Sequence, residues 1–195
     1  MSKMIPEDLK VIWAKSGDGC GHSLVCHMLD VATVVEAILD AEPPTTLLWA
    51  ARQFGFEPGT AQRWLAALAG LHDFGKAIPG FQAKWDEGMR RVQTQGFRFT
   101  PTSCAQTKHD LATAALLGKE LHALAASEPH WLQHSILAIS AHHGYPFLPV
   151  EINQGKPVSE HAEWAHVRRA ILRLYWQAIA PGGFPGAVSC ALSRR

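Results

Sequence analysis

The sequence predicts an all-α fold, in which helices pack orthogonally as a bundle. Apolar residues recur at helical spacing in several separate segments of the chain. Glycine, proline and capping residues stand at the ends of those segments, where helices begin and stop. Alternation typical of β-strands is confined to short stretches around residues 11–13 and 150–152. The 195 residues, 47% hydrophobic and 18% charged, are enough for one sizeable core, so we expect a single domain over residues 1–195.

The predicted elements follow one another with short connections. They are a helix over residues 22–40, a second over 45–55, a third from Thr60 to Gly75, a short helix over 79–86, a loop over 87–101, a helix starting at Ser103, a helix from Pro129 to Gly144, a loop over 147–158 and a final helix from Ser159 to Ala180. Most of these helices are assigned because their apolar positions share one face, whereas the short helix over 79–86 is assigned from the turn before it and the final helix from its cap and the PGGFPG segment. The loops hold glycines and prolines without clean periodicity.

The ends of the helices are assigned from the chemistry of single residues. Pro43 and Pro44 end the first helix, because proline lacks a backbone N–H. Thr60 and Ser159 are predicted N-caps, since a hydroxyl can accept from the free N–H groups of a first turn. Glycines end two other helices, each shortly after a histidine.

Composition and charge exclude several classes of protein. The formal net charge is +1, so binding of nucleic acid would depend on local patches. The candidate basic patches, each explained more simply as a solvated face, are Lys84, Arg90, Arg91 and Arg98, and then Arg168, Arg169 and Arg173. The four cysteines form no C-x-x-C pair. No apolar run approaches a membrane span or a signal peptide, so we expect a cytoplasmic location and no membrane.

Histidine is the unusual feature of the composition, with 11 residues. Four predicted helices each place one histidine on an apolar face, and these are His27, His72, His109 and His143. A single buried histidine is usually a hydrogen-bonded core residue, but burying four unpaired imidazoles would be costly. A bound divalent metal would explain all four, because neutral imidazole is a good ligand for Mn, Fe, Co, Ni, Cu and Zn.

The segment GLHDFGK adds a carboxylate to this set. His72 and Asp73 stand in a predicted last turn, where fraying allows adjacent side chains to reach one ion. Asp73 has two oxygens and could bridge two ions, while His142 and His143 repeat the arrangement elsewhere. Two ions roughly 3.5 to 4 Å apart suit phosphodiester hydrolysis. Lys76 would then lie near enough to pair with a phosphate.

Five stretches, in chain order, carry a resemblance to a known family. They are VIWAKS, HSLVCHMLDVA, GLHDFGKAIPGFQAKW, KHDLATAALL and SAHHGYP. The HD doublet is the signature of the HD phosphohydrolase superfamily. The whole series, over roughly residues 11–146, resembles the HD nuclease domain of the CRISPR-associated helicase-nuclease of type I systems.

The resemblance implies a helical bundle of the HD-domain type that degrades single-stranded DNA with divalent transition-metal ions. One or two ions per chain are expected, drawn from Mn, Fe, Ni, Co and Zn. The resemblance also implies a superfamily-2 helicase as partner, in cis or in trans, and the type I Cascade surveillance complex. The chain lacks the motif G-x-x-x-x-G-K-[ST]. We therefore expect either a standalone nuclease subunit or the N-terminal part of a longer helicase-nuclease.

Roles for particular residues follow from the same resemblance. The first ion would be held by His27, His72 and Asp73. The second ion would be held by Asp73 as a bridge, together with His109, His142 and His143. Lys76 matches the lysine of the family motif and would lie beside the scissile phosphate, so Asp73 and Lys76 are the expected catalytic residues.

One part of the family pattern is missing. The family completes its first metal site with an aspartate on a late helix, and this chain has no aspartate after Asp110. The ending GAVSCALSRR could lie where that segment is expected, or Glu160 or Glu163 could substitute. We therefore expect the first ion to bind less tightly than the second.

Three other interpretations stay open. The chain could be an HD phosphohydrolase that acts on nucleotides. It could also be a catalytically impaired module that docks on a helicase or surveillance complex. A separate zinc site could form from Cys20, His22, Cys26 and His27, although their spacing is compressed for a known zinc finger.

Overall fold

The computed structural model describes residues 7–17, 20–122 and 132–181. Its α-helices are α1 (Glu7–Lys10), α2 (Leu24–Ala41), α3 (Thr45–Phe54), α4 (Pro58–Gly70), α5 (Pro79–Gln82), α6 (Asp86–Thr94), α7 (Pro101–Cys104), α8 (His109–His122), α9 (Leu132–Ser140), α10 (Pro149–Gln154) and α11 (Ala162–Ile179). A 3₁₀ segment, Leu71–Lys76, follows α4, and two strands, β1 (Trp13–Ser16) and β2 (Gly21–Ser23), precede α2. The all-α prediction is confirmed, since the described strands form only one two-stranded sheet.

The core lies where α11 contacts both α2 and α4. Its fully buried large side chains include Met28, Trp64, Trp164 and Tyr175. Each buried aromatic ring removes about 150–250 Å² from water, so these rings dominate the stability of the bundle. At the end of α4, Gly70 admits the Tyr175 ring, because a Cβ there would lie 2.1 Å from its hydroxyl oxygen.

The small sheet leads directly into the first long helix. β1 and β2 pair antiparallel, with Trp13 opposite Ser23 and an irregularity before Lys15. Ser23 is also the N-cap of α2, where its hydroxyl accepts from the Cys26 N–H at 3.3 Å. His27 is thereby fixed in the first turn of α2, beside the centre of the molecule.

Two predicted loops contain helices. The loop predicted over 87–101 includes α6, and the loop predicted over 147–158 includes α10. In α6 only Gly88 and Val92 are buried, and in α10 no residue is buried. Neither helix therefore has the apolar stripe on which the prediction depended. The strand considered over 150–152 is part of α10, whereas the one considered over 11–13 overlaps β1 at Trp13.

Several predicted boundaries are also wrong. The third helix begins at Pro58 instead of after Thr60, because proline fits the first helical position. The final helix begins after His161, and Ser159 instead adopts a positive φ of 54°. The helix expected from Ser103 is split, since α7 ends at Cys104 and α8 starts at His109.

The remaining differences are smaller. The helices predicted over 22–40 and 45–55 are confirmed as α2 and α3, and the short helix predicted over 79–86 is only α5. The start assigned to Pro129 and most of the segment PGGFPG lie outside the described residues. None of the helices in the described ranges is long and apolar enough to cross a membrane.

Candidate metal centre

The centre is built on the 3₁₀ segment, which follows α4 without a break. His72 and Asp73 lie here, in a 3₁₀ turn instead of the last α-helical turn that was predicted. At about 3.0 residues per turn, residues three positions apart lie on the same side. Lys76 Nζ accordingly donates to Asp73 Oδ2 at 2.6 Å. Asp73 is only 2% exposed, so its carboxylate lies inside the bundle.

A glycine and a threonine hold this segment against α8. A Cβ at Gly75 would lie 2.0 Å from the His109 carbonyl oxygen, so only glycine fits the position. The Gly75 N–H donates to Thr113 Oγ1 at 2.8 Å. The Thr113 hydroxyl in turn points its hydrogen toward the carbonyl oxygens of His72, at 3.1 Å, and His109, at 2.9 Å. Sequence analysis missed Thr113, because a threonine within an apolar helical stripe carries no signal of its partners.

The first group of candidate ligands is His27, His72 and Asp73. One ligand atom from each lies within 4.8 Å of the others. His27 Nε2 is 2.9 Å from Asp73 Oδ2, and His72 Nε2 is 3.3 Å from the same oxygen. His72 Nδ1 donates to the Ala69 carbonyl at 3.0 Å. That bond leaves the lone pair of the neutral ring on Nε2, which faces the carboxylate.

The second group is His109, His142 and His143, whose ligand atoms also lie within 4.8 Å of one another. His109 Nε2 is 3.1 Å and His142 Nε2 is 3.7 Å from the other oxygen, Asp73 Oδ1. His143 Nε2 lies 3.3 Å from His109 Nε2. The His142 ring is oriented as in the first group, because its Nδ1 donates to the Ile139 carbonyl at 2.9 Å. Both adjacent histidines lie in the turn after α9, beyond the helix end that was predicted to carry them.

The donor atoms fit divalent metal ions. Each oxygen of Asp73 faces one group, so the carboxylate lies between the two. His27 Nε2 is buried and has no hydrogen-bond partner, although it lies 2.9 Å from Asp73 Oδ2. Ring nitrogens that present lone pairs to a carboxylate repel it unless a proton or a cation lies between them. A ring whose other nitrogen is fixed by a backbone carbonyl is the usual arrangement of a metal-ligating histidine.

The electrostatics of the centre favour an ionised Asp73 and a neutral His142 at neutral pH, and these are the protonation states that bind metals. Burial raises the pKa of Asp73, but contacts with the surrounding histidines and with Lys76 lower it by more. The pKa of this carboxyl therefore lies far below its usual range, and the group is ionised at neutral pH. Burial and the neighbouring rings of His143 and His72 lower the pKa of His142. His142 is therefore neutral and able to bind a metal at pH 7.

Lys76 faces the protein interior, where it is bonded on two sides. Its Nζ donates to the Ala14 carbonyl at 3.1 Å as well as to Asp73, and lies 5.2 Å from the centre of the Phe81 ring. Burial lowers the pKa of Lys76, and the contact with Asp73 opposes that change. Direct pairing of Lys76 with a phosphate stays a prediction. The observed contacts show that Lys76 orients the carboxylate of Asp73.

A buried glutamine fixes the lysine and the first strand relative to one another. Gln82 Nε2 donates to the carbonyls of Trp13, at 2.8 Å, and Lys76, at 2.9 Å. Its Oε1 accepts from the Trp13 N–H at 3.2 Å. Gln82 therefore holds β1 so that the next carbonyl, that of Ala14, reaches Lys76. The local sequence does not predict this role for Gln82. Its side chain bonds only to backbone groups of Trp13 and Lys76, and a residue's backbone groups leave no signal in the sequence.

The two glutamates considered as substitutes for the missing aspartate are both engaged by arginines. Glu160 pairs with Arg168, and Glu163 pairs with Arg98 at 3.1 Å. The ending GAVSCALSRR lies outside the described residues. Within the described ranges, the candidate metal groups include no cysteine, and His22 contacts Asp30 at 2.7 Å. The structure thus gives the alternative zinc site no support.

Comparison with known proteins extends these observations. The curated protein "CRISPR-associated endonuclease/helicase Cas3" of Thermus thermophilus is 37% identical over 170 residues, which are 86% of this chain and 18% of the relative. A crystal structure of the Thermus thermophilus Cas3 HD domain in the presence of Ni²⁺ is 30% identical with a TM-score of 0.62, and the match covers 90% of this chain and 67% of that one. A chain in a structure of a CRISPR RNA-guided surveillance complex, pre-nicking, is 25% identical with a TM-score of 0.73, over 93% of this chain and 22% of that one.

The helical bundle and its histidine-aspartate groups define a domain of the HD type. The family model "Cas3, HD domain" matches residues 13–185, so the chain belongs to the Cas3 HD domain family. The resemblance found in the sequence is thereby confirmed. The chain spans about a fifth of the length of the curated relative, 18%.

Proposed function

We propose that this domain is a metal-dependent nuclease that degrades single-stranded DNA in CRISPR type I interference. One observation carries the proposal: two groups of three candidate ligands meet at the two oxygens of one buried carboxylate, Asp73. A paired metal site of this kind suits in-line hydrolysis of a phosphodiester. The name of the curated relative, an endonuclease/helicase, agrees with that reaction class.

The residues that would hold the ions are those of the two groups. They are His27, His72 and Asp73 for one ion, and His109, His142 and His143 for the other, with Asp73 Oδ1 facing that second group. Histidine nitrogen and carboxylate oxygen suit Mn, Fe, Co, Ni or Zn. Bound ions of this kind would polarise a phosphoryl oxygen and activate a water molecule for attack on phosphorus.

The other residues keep this arrangement in place. Lys76 donates to Asp73 Oδ2 at 2.6 Å, and this bond opposes rotation of the carboxylate away from His27. Its positive charge also stabilises the ionised carboxylate in a buried site. Thr113 fixes His72 relative to His109, which belong to different groups. Preorganised ligands of this kind reduce the rearrangement needed when substrate binds.

We also propose the partners of the domain. The relative's name combines endonuclease with helicase, which supports a superfamily-2 helicase working with this domain, either in the same chain or as a separate protein. The structural relative within a CRISPR RNA-guided surveillance complex supports recruitment by a type I Cascade complex. A helicase that moves along DNA would supply the single strand that the metal centre cuts.

The test is to incubate metal-loaded protein with circular single-stranded DNA. Mn²⁺ or Ni²⁺ should support cutting, and a chelator should stop it. Asp73→Ala should abolish cutting, because the variant removes the ligand that both groups share. The matched control is Asp40→Ala on the exposed side of α2, which should cut at the wild-type rate. Undiminished cutting by Asp73→Ala would refute the proposed centre.

A second candidate function is supported by the positions of the two glutamates. Because Glu160 and Glu163 are paired with arginines, the described first group has only three ligands. A domain with an incomplete site could act as a docking module for a helicase or surveillance complex. Measuring the metal content of purified protein separates the two candidates. Two ions per chain with DNA cleavage favour the nuclease, whereas one or none without cleavage favours the docking module.

A further inference from the structure

A cavity that several charged side chains line lies between α8 and α11, away from the metal centre. Its volume is about 200 Å³. The wall comes from the C-terminal half of α8, from the connection between α10 and α11, and from the first half of α11. Its charged lining residues are Lys119, Glu120, Lys156, Glu160, Arg168 and Arg169. We call this cavity the α8–α11 pocket.

Three cations of the α8–α11 pocket have no acceptor in the described part of the chain. They are Lys119, Lys156 and Arg169, which make neither an ion pair nor a side-chain hydrogen bond there. Their positions come from three different elements, so the fold and not a local charge run brings them together. A cleft lined by cations concentrates anions, because its low-dielectric walls focus the field.

The fourth cation has a structural role. Arg168 is 2% exposed, pairs with Glu160 through both terminal nitrogens, and donates to the Ala77 carbonyl at 3.1 Å. This pair is close to neutral, so the pocket's net charge comes from the other residues. Arg168 Nε is buried without a hydrogen-bond partner. The three arginines of the basic patch predicted from the sequence therefore have different positions. Arg168 is buried and paired, Arg169 lines the pocket, and Arg173 is exposed and does not line it.

One acidic residue of the pocket also lacks a partner. Glu120 is only 7% exposed, and it accepts no hydrogen bond from a side chain in the described residues. In the described residues its oxygens are not among the fully buried polar atoms that lack a partner, so the carboxylate is open to the pocket and can accept from a bound molecule. A ligand that suits the whole pocket thus carries a phosphate for the cations and an N–H or O–H group for Glu120. Nucleotides have both.

We propose that the α8–α11 pocket binds a nucleotide unit of single-stranded DNA, at a site separate from the metal centre. This inference rests on the proposed nuclease function, because that function supplies the strand. Lys119 is ten positions after His109 on α8, which at about 1.5 Å per residue places it about 15 Å along the helix. A strand held in the pocket would be retained by the domain while a neighbouring segment is cut.

The test measures DNA binding without metal, so that cleavage plays no part. Fluorescence anisotropy follows labelled (dT)12 binding in EDTA at several salt concentrations. The variant Lys119→Ala/Lys156→Ala should bind about tenfold more weakly, equivalent to about 1.4 kcal/mol. The slope of log affinity against log salt should fall by about 0.7 for each phosphate that the two lysines neutralise. Both lysines are exposed and without described partners, so their removal spares the fold.

A matched control removes two cations elsewhere. Arg52→Ala/Arg63→Ala changes the net charge equally, at exposed positions of α3 and α4. The control should leave the affinity within about twofold of wild type, a difference of about 0.4 kcal/mol. An equal loss in both double variants would overturn the proposal, because general attraction would then explain binding.

Two further measurements separate the alternatives. Glu120→Gln should weaken (dT)12 binding, because a neutral amide is a poorer acceptor, whereas tighter binding would overturn the role given to Glu120. Titration with dTMP distinguishes a free nucleotide from a strand. If the lysine pair matters for dTMP but not for (dT)12, the proposal of a DNA site is wrong. Pocket-dependent binding without any cleavage would refute the proposed nuclease function and leave the DNA site standing.

Discussion

Thr113→Val isolates the contact that joins the two ligand-bearing elements. Valine is β-branched like threonine, so the change removes the hydroxyl and keeps nearly the same side-chain shape. The lost interactions are acceptance from the Gly75 N–H at 2.8 Å and donation toward the carbonyls of His72 and His109. All of them lie in the buried contact between the 3₁₀ segment and α8, since Thr113 is 0% exposed.

The expected cost follows from leaving buried polar groups unpaired. The Gly75 N–H would lose its acceptor, at about 1–3 kcal/mol. The two carbonyls would lose a shared donor, but His109 O can still accept within α8, so that loss adds about 0.5 kcal/mol. We expect the free energy of unfolding to fall by about 1.5–3.5 kcal/mol. Because the threonine orients the backbone of two candidate metal ligands, metal affinity should also fall about 10–100-fold.

The assay is urea denaturation of metal-free protein, followed by a metal titration. With a denaturant slope of about 2–3 kcal/mol per molar, the midpoint should fall by about 1 M. Thr33→Val is the matched control, because the Thr33 hydroxyl bonds only to the Leu29 carbonyl on the exposed side of α2. It should change stability by less than about 0.5 kcal/mol. Equal midpoints for the two variants would refute the role given to Thr113.

Three further changes test other contacts of the bundle. Gly75→Ala should lower the unfolding midpoint temperature and the metal affinity together, because its Cβ has no space against α8; unchanged metal binding, measured by titration, would contradict the close contact. Tyr175→Phe removes the hydrogen bond to the Ala67 carbonyl at 2.8 Å, and should cost about 1 kcal/mol, or about 2–4 °C by calorimetry. Arg98→Ala tests the ion pair that lowers the pKa of Glu163 from 4.5 to about 2. An acid whose pKa is lowered by folding stabilises the fold above pH 4.5 and not below pH 2. The difference in unfolding free energy between the variant and wild type should therefore be present at pH 6 and vanish near pH 2. A difference that does not change with pH would exclude the ion pair.

The ligand residues show how far local pattern can reach. Periodicity placed His27 and His72 on apolar faces, and both side chains are partly buried and contact the carboxylate of Asp73. His142 and His143 were predicted in the last turn of a helix, and they instead lie in a turn beyond the end of α9. Hydrophobic spacing predicts which side of a segment faces inward, and it does not distinguish an α-helical turn from a 3₁₀ turn.

Hydrophobic periodicity did not predict the helices that lack an apolar stripe. α10 buries none of its residues, and α6 buries only two, so neither gave a periodic signal. Proline at the first position of α10 was a start signal that pattern reading assigned to a loop. Short exposed helices are stabilised by their ends and their charges, which periodicity does not record.

The sequence by itself determined the helical class, the family resemblance and the set of candidate ligands, because periodicity and the HD doublet are local properties of the chain. Only the tertiary structure decided which Asp73 oxygen faces which group, that Lys76 is turned inward onto Asp73, and that Glu160 and Glu163 are engaged with arginines. It also revealed Thr113 and the α8–α11 pocket. The physical reason is that hydrogen bonds and charge pairs between distant segments depend on how helices pack, and a single residue's local pattern carries no record of its long-range partner.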